Sequence, residues 1–455
     1  MLTSRTSPPL ARAKRTGPGW LLKATAFSVM AIPPYMVLQP IGASSSVTQM
    51  LALALFVFWA LSSVLGLHDP VKFRHPGRAA VIALIFASSL SYAHLFAGLS
   101  GASTIDGRAA ADRWMLLMFA VAGIAFVTTD SVRTVKDAMV VVRWILAGGA
   151  VCSVTALIQF STGTNPVEWI TGLMVGFVDN GGANPFQVRG AFMRVGGTTM
   201  HPIELGVVTA MLLPLALWRA LYDTQGRKPL HWALVGLLAI ANAVTVSRSG
   251  LLALVIALVV VVPFMPKVAR QWATLVLPLG AAGLFIGVPG LISTLFNSAT
   301  AGSTDSSITS RTEDYPLALR LVSARPWLGT GPGTWTPTNA LDIFDNEYLQ
   351  TAVTMGVVGV VGLIAYLLVP ALAALTAARN AEGGELRLLA ASAAAAGLIA
   401  VVTSGTFDSM SFPVFALSYP FFIGLSGASW LMVMSQKESG LSIPLGMTPD
   451  RLPGG

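Results

Sequence analysis

The chain has 455 residues, 54% of them hydrophobic and only 11% charged, and its mean hydropathy is +0.71. An ordinary soluble domain carries about 25% charged residues, so this composition excludes a soluble protein and describes an integral membrane one. The formal net charge of +8 would suit nucleic acid only if gathered on one surface, and the single cysteine, Cys152, excludes both an internal disulfide and a cysteine metal site.

The apolar content falls in uncharged stretches of helix-spanning length, not in the roughly 10-residue alternating segments of an outer-membrane barrel. About twelve such runs follow one another, over residues 20–39, 50–67, 79–96, 114–129, 138–160, 202–217, 231–246, 251–264, 272–292, 348–371, 388–402 and 412–434. A basic stretch (Arg5, Arg12, Lys14, Arg15) precedes the first run, as in a signal peptide, but no small-residue cleavage site follows it, so that run is expected to stay as a span. The fold expected is an all-α integral membrane protein. It has a cytoplasmic tail over 1–19, a membrane domain over 20–434 and a polar cytoplasmic tail over 435–455, whose Gly and Pro content predicts disorder.

With the N-terminus in the cytoplasm, every inside loop holds at least two basic residues, among them Lys72, Arg74, Arg78, Arg133, Arg143, Arg219 and Lys228. The positive-inside rule is then satisfied with both termini inside. The net charge is a topology signal, and no nucleic-acid partner is expected. Two external loops are long, 161–201 and 293–347, and long irregular connections are commonly functional or disordered. Within the first, 166–178 is apolar but too short to span and suits the membrane interface. The second opens Ser/Thr/Gly-rich and continues into a helical pattern over 312–327, with Leu317, Leu321 and Ala324 on one face.

The polar chemistry is concentrated outside. Arg248 interrupts an otherwise apolar stretch at a tight external turn, Ser247-Arg248-Ser249-Gly250. The helix that follows starts outside, so its free N–H groups and positive dipole end stand beside a guanidinium that can grip a diphosphate bidentately. A snorkelling interfacial Arg is the competing reading. The run from residue 202 opens with His201-Pro202-Ile203-Glu204, where Pro202 fits the first helical position and Glu204 a capping-box position. Capping and acid/base work both remain open for His201 and Glu204, and Arg189 and Arg194 lie just before them. Asp345-Asn346-Glu347-Tyr348 opens another outward-starting helix, where Asp or Asn is an expected cap. Asp345 and Glu347 diverge by about 200° on a helix, which argues against a metal site. Gly329-Thr330-Gly331-Pro332-Gly333-Thr334-Trp335 lacks the Lys-Ser/Thr of a phosphate-binding loop and reads as a structural turn.

In order, RGAFMRVGGTTMHPIELG (189–206), TVSRSGLL (245–252), SRTEDYPLALRLVSARPWLGTGPGTW (310–335) and DNEYLQTAVTMGVVG (345–359) closely resemble the O-antigen ligase and polymerase superfamily, the WaaL/Wzy-type membrane glycosyltransferases. The resemblance implies a GT-C-type architecture of the ligase/polymerase branch with two long extracytoplasmic loops. It also implies an enzyme of the plasma membrane that moves a glycan, on its outer face and without cofactor or metal, from a polyprenyl-diphosphate-linked oligosaccharide to a glycan or lipid acceptor. Membrane lipids and a chain-length regulator are its further expected partners. By the same resemblance Arg248 would hold the diphosphate, with Arg189 or Arg194 as the second arginine of that site and Arg311 as the loop arginine, and Glu313, Asn346 and Tyr348 would hold the glycan. Family ligases carry His-Asn where this chain has Asp345-Asn346. A carboxylate can serve as general base, so Asp345, His201 and Glu204 stand as catalytic candidates, and the departure tilts the reading from a ligase onto lipid A towards a polymerase, or a ligase onto another surface acceptor.

Two other classes compete. Twelve spans with both ends inside also describe a major-facilitator transporter. The connection between the sixth and seventh runs is short, however, and the charges sit at helix ends rather than at mid-membrane, which disfavours both a transporter and a polysaccharide flippase. The other large class of polyprenyl-phosphate-sugar transferases has an acidic motif in its first external loop, and residues 40–48 hold no acid.

Overall fold

A computed structural model describes residues 17–70, 74–100, 104–184, 186–189, 192–273, 306–335 and 343–441. The basic segment at Arg5–Arg15, the end of the C-terminal tail and nearly all of the expected span 272–292 lie outside these residues. In chain order the helices are α1 (Trp20–Ala31), α2 (Val47–Val64), α3 (Pro76–Phe96), α4 (Ile105–Ser131), α5 (Val135–Thr162), α6 (Val167–Gly172), α7 (Pro202–Tyr222), α8 (Lys228–Val244), α9 (Arg248–Val261), α10 (Ser306–Ala324), α11 (Glu347–Asn380), α12 (Gly384–Thr403) and α13 (Pro413–Leu441). Eight of them, α2, α3, α4, α5, α7, α11, α12 and α13, are long and apolar enough to cross a membrane, and α1, α8 and α9 are shorter apolar helices. The protein is a multi-pass, all-α membrane protein.

One expected boundary is corrected. The first run was read as a span over 20–39, but α1 stops at Ala31 because Pro33 and Pro34 offer no backbone N–H to continue it. Twelve residues rise only about 18 Å. The chain continues extended as β1 (Met36–Leu38), which pairs antiparallel with β2 (Phe177–Asp179) of the long loop.

The bundle packs on small residues, as helices do when lipid is as apolar as leucine. A Cβ on Gly148 of α5 would lie 2.3 Å from the Phe27 carbonyl oxygen of α1, and one on Gly397 of α12 would lie 2.6 Å from the Cβ of Ala371 on α11. Alanines 390, 391, 393, 394, 395 and 396 bury α12 at the centre, against α7, α9, α11 and α13. Adjacent helices alternate in direction. The starts of α7, α9 and α11 therefore share one end of the bundle with the connection 404–412, while the start of α3 meets the end of α4 at the other, where Arg78 pairs with Asp130. The same far end holds Arg143 of α5, whose Nη2 and Nε reach Asp223 at 2.5 and 2.8 Å. Burial alone would raise the Asp223 carboxyl, but Arg143 holds it down to about 2.

α11 is broken in mid-course. At Gly356 the backbone turns to φ 62°, ψ −162°. The freed groups are satisfied by the segment that leads out of α10: Gly331 N donates to Thr354 O at 2.8 Å, Val357 N to Pro326 O at 2.8 Å, and Ser91 Oγ of α3 to Leu328 O at 2.7 Å. Irregular backbone at membrane depth survives only with such partners. The glycine-rich 329–335 stretch is thus a structural clasp, as its sequence suggests. α10 begins six residues earlier than the 312–327 expected, and its Leu317, Ala318 and Leu321 pack with Phe344 and Val353 at the head of α11. A Cβ on Gly356 would lie 2.4 Å from the Trp327 backbone, whereas one on Gly236 of α8 meets nothing within 4 Å. Gly356→Ala should therefore cost on the order of 2–4 kcal/mol in thermal melts of the purified protein, with Gly236→Ala melting as wild type.

Candidate active site

The first long loop folds back as a hairpin of β3 (Phe186–Arg189) and β4 (Phe192–Val195), with Gln187 opposite Arg194. Its exit is anchored by Gln159 of α5, which accepts from Gly197 N at 2.7 Å and donates to Gly197 O at 3.0 Å. α7 then starts with Pro202 at its first position and His201 as its cap, the His201 Nδ1 accepting from Ile203 N at 3.0 Å. The buried Arg194 sends Nε to Thr245 O at 2.9 Å and Nη1 to Gln187 Oε1 at 3.4 Å, and the Gln187 amide meets His201 Nε2 at 2.6 Å. Burial, with the Arg194 charge beside it, pushes the His201 imidazole down to about 4. At neutral pH His201 is therefore an uncharged cap.

The turn that Arg194 grips is the one before Arg248. Val246 has φ +46°, the one positive φ outside glycine among the described residues. A β-branched residue there is strained, and such strain persists only where the surroundings over-determine it. Here they do. Thr245 Oγ1 donates to Asn242 O at 2.7 Å, and Asn242 Nδ2 donates to Gly206 O at 2.6 Å and Gly250 O at 3.2 Å, locking α7, α8 and α9 together. A Cβ on Gly250 would lie 3.0 Å from the Gly206 Cα, so glycine is required at this crossing. Ser247 caps α9, its side chain accepting from Gly250 N at 3.2 Å, and Arg248 is the first helical residue. The guanidinium stands at the positive end of a helix that begins at this face, as the sequence predicts.

The connection 404–412 closes the site and is held by two buried glutamates. Glu204 Oε1 accepts from Val414 N at 2.7 Å and Phe415 N at 3.0 Å, and its Oε2 accepts from Met200 N at 3.0 Å. Glu204 thus caps α13 as well as reaching back past its own helix start, and its carboxylate is fully engaged by backbone amides. Glu347 Oε2 accepts from Met410 N at 2.8 Å, and its own N–H donates to Ser404 O at 2.9 Å. Asn346 caps α11 through Tyr348 N and Leu349 N at 2.9 and 3.3 Å, and Tyr348 donates its hydroxyl to Val401 O at 2.6 Å. The connection touches the arginine turn directly, Thr406 Oγ1 donating to Ser249 Oγ at 2.9 Å, and the Phe412 ring lies edge-on to His201 at 5.8 Å.

Asp408, which the sequence reading did not single out, lies half-buried in this connection. Burial, with the Asp345 charge nearby, pushes its carboxyl up to about 7. Glu204 and Glu347 both lie within reach of its field. The available signal was an acid in a short connection between two apolar runs. Gln187 was missed for a different reason: only the hairpin register sets it between Arg194 and His201.

The structure brings Arg194, His201, Glu204, Arg248, Asp345, Asn346 and Tyr348 to one end of the bundle. Among them His201, Glu204, Asn346 and Tyr348 are occupied in caps and ties, and Asp345 is exposed. Arg189 stands at the closed end of the hairpin, and Arg311 and Glu313 lie on α10; the side chains of these three fall outside the described residues. A cation at a helix head, facing a connection that carries a carboxyl poised near neutrality, can bind an anionic leaving group and take a proton from an attacking hydroxyl.

Residues 233–364, which include Arg248, Asp345 and the break in α11 but not the hairpin or Asp408, match the Wzy_C family, described as O-antigen ligase. No curated protein matches the chain. Over that stretch, under a third of its length, the chain is similar to the O-antigen ligase family, in line with the resemblance its motifs carry.

Proposed function

We propose that the protein transfers a glycan from a polyprenyl-diphosphate carrier to the hydroxyl of an acceptor glycan at the extracytoplasmic face of the plasma membrane, extending a surface polysaccharide by repeat units. The observation that carries this reading is the convergence on one end of the bundle of the strained Arg248 turn, the buried Arg194 beneath it and the carboxylates of Asp345 and Asp408. In this mechanism the acceptor oxygen bonds to the anomeric carbon while the bond from that carbon to the diphosphate oxygen breaks. The electron pair leaves with the polyprenyl diphosphate, and the acceptor's proton passes to Asp408. Arg248 and the N–H groups at the head of α9 meet the charge as it develops on the leaving group, where preorganised donors act most strongly. Arg194 acts by positioning, since its Nε holds the Thr245 carbonyl and so fixes the approach to Arg248. Burial, with the Asp345 charge nearby, keeps the Asp408 carboxyl basic. No nucleotide sugar and no metal enter the reaction.

The test uses purified protein in liposomes with a polyprenyl-diphosphate oligosaccharide as the only substrate. Longer glycans on the carrier, formed in EDTA and reduced about 10²–10³-fold by Arg248→Ala, are the expected result. Release of carrier only on addition of a different acceptor would make the enzyme a ligase, and full activity in Arg248→Ala would sink the site.

The pH profile follows from the Asp408 carboxyl. A base raised to about 7 is active when deprotonated, so the rate should rise with pH through about 7 and fall away below it. Asp408→Asn should lose about 10²-fold or more together with that limb, and retention of the limb in Asp408→Asn would move the base to another residue.

A further inference from the structure

At the end of the bundle opposite this site, a groove of about 590 Å³ opens between α2, the start of α3, α4 and α13. Its volume lies within the about 300–1,000 Å³ of ligand sites. The walls are apolar and aromatic, with Trp59, Phe126, Trp430 and Ile82 among them, and the arginines among the described lining residues are Arg74 and Arg78. Its floor is preformed. Asp130 accepts from Arg78 Nη2 at 2.7 Å and from Trp59 Nε1 at 2.8 Å, with His68 Nε2 at 2.9 Å, and the Arg78 guanidinium lies over the Phe126 ring, 4.9 Å from its centre.

Two features of this groove ask for an anionic occupant. Arg78 is only 7% exposed and lines the groove, yet its Nε, a buried donor, has no hydrogen-bond partner among the described residues. A buried donor left unpaired costs about 1–3 kcal/mol, and native structures rarely leave one so. At the mouth, Arg74 is exposed and adds a positive charge that Asp130, already occupied by Arg78, does not offset. Basic pockets between membrane helices are the sites at which acidic headgroups dock.

We propose that this groove binds one anionic phospholipid of the leaflet at that end. An acyl chain lies along Trp59, Ile82, Phe126 and Trp430, a phosphate or ester oxygen accepts from Arg78 Nε, and the headgroup charge faces Arg74. The bound lipid ties α2, whose surface is largely exposed, to α4 and α13. It is a different site from the transfer centre and does not depend on that reading.

Native mass spectrometry of the full chain, after exposure to equal amounts of phosphatidylglycerol and phosphatidylcholine, tests the proposal. One phosphatidylglycerol should be retained in preference to phosphatidylcholine. Arg74→Glu, at an exposed position, should weaken that retention about tenfold. Ile82→Trp, which fills the groove from a half-exposed position, should abolish it, with both variants melting as wild type in phosphatidylcholine alone. Equal retention of the two lipids would overturn the proposal. So would retention that survives Arg74→Glu, or that survives Ile82→Trp, or equal protection by glycerol phosphate without acyl chains.

Discussion

The arrangement of this end of the bundle depends on a requirement of backbone chemistry: the first N–H groups of α13 lie buried among helices and need acceptors. Glu204, 210 positions from Val414 in sequence but adjacent in space, supplies one at Val414 and Phe415 and also binds Met200 ahead of its own helix. Removing one partner of such a buried set leaves the others unsatisfied, which costs more than the bonds themselves contribute. Glu347 repeats the device at Met410. Together these carboxylates fix the connection 404–412, and through it Asp408 and the contact between Thr406 and Ser249 beside Arg248.

A division of labour among the acids follows. The buried Glu204 and Glu347 hold the scaffold through backbone amides and the Thr351 hydroxyl, while Asp408 is half-buried and Asp345 exposed at the same end. The same holds for the cations. Arg194 is spent on the Thr245 carbonyl and on Gln187, so it shapes the turn, whereas Arg248 stands at the head of α9. Functional sites commonly keep strain of the kind seen at Val246, and here it sits one residue before the capping Ser247.

Much of this was legible in the chain because caps and periodicity are local. Pro202 at the first position of α7, Ser247 and Asn346 as caps, and the apolar face of α10 all follow from neighbours within a few residues. The end of α1 was equally local, since Pro33 and Pro34 signal it, and the long apolar run masked them. What stayed hidden rests on distant partners. Glu204 meets residues 210 and 211 positions away, and nothing near it distinguishes a two-helix cap from a catalytic acid. The break at Gly356 looks like any glycine in a membrane helix until the 326–331 segment is seen to pair with it. Asp408 acquires its character only from burial and from Asp345, which lies just ahead of α11.

In the proposed mechanism the carrier diphosphate sits between the Arg248 turn and the 404–412 connection. Photo-crosslinking with a polyprenyl-diphosphate sugar that carries a reactive group beside the diphosphate tests it most directly, with the labelled peptides read by mass spectrometry. Labels within 245–250 and 404–412, competed by unlabelled polyprenyl diphosphate, are the predicted result. Competed labels confined to the opposite end of the bundle, around 74–78 or 219–231, would place the diphosphate elsewhere and overturn the proposed site.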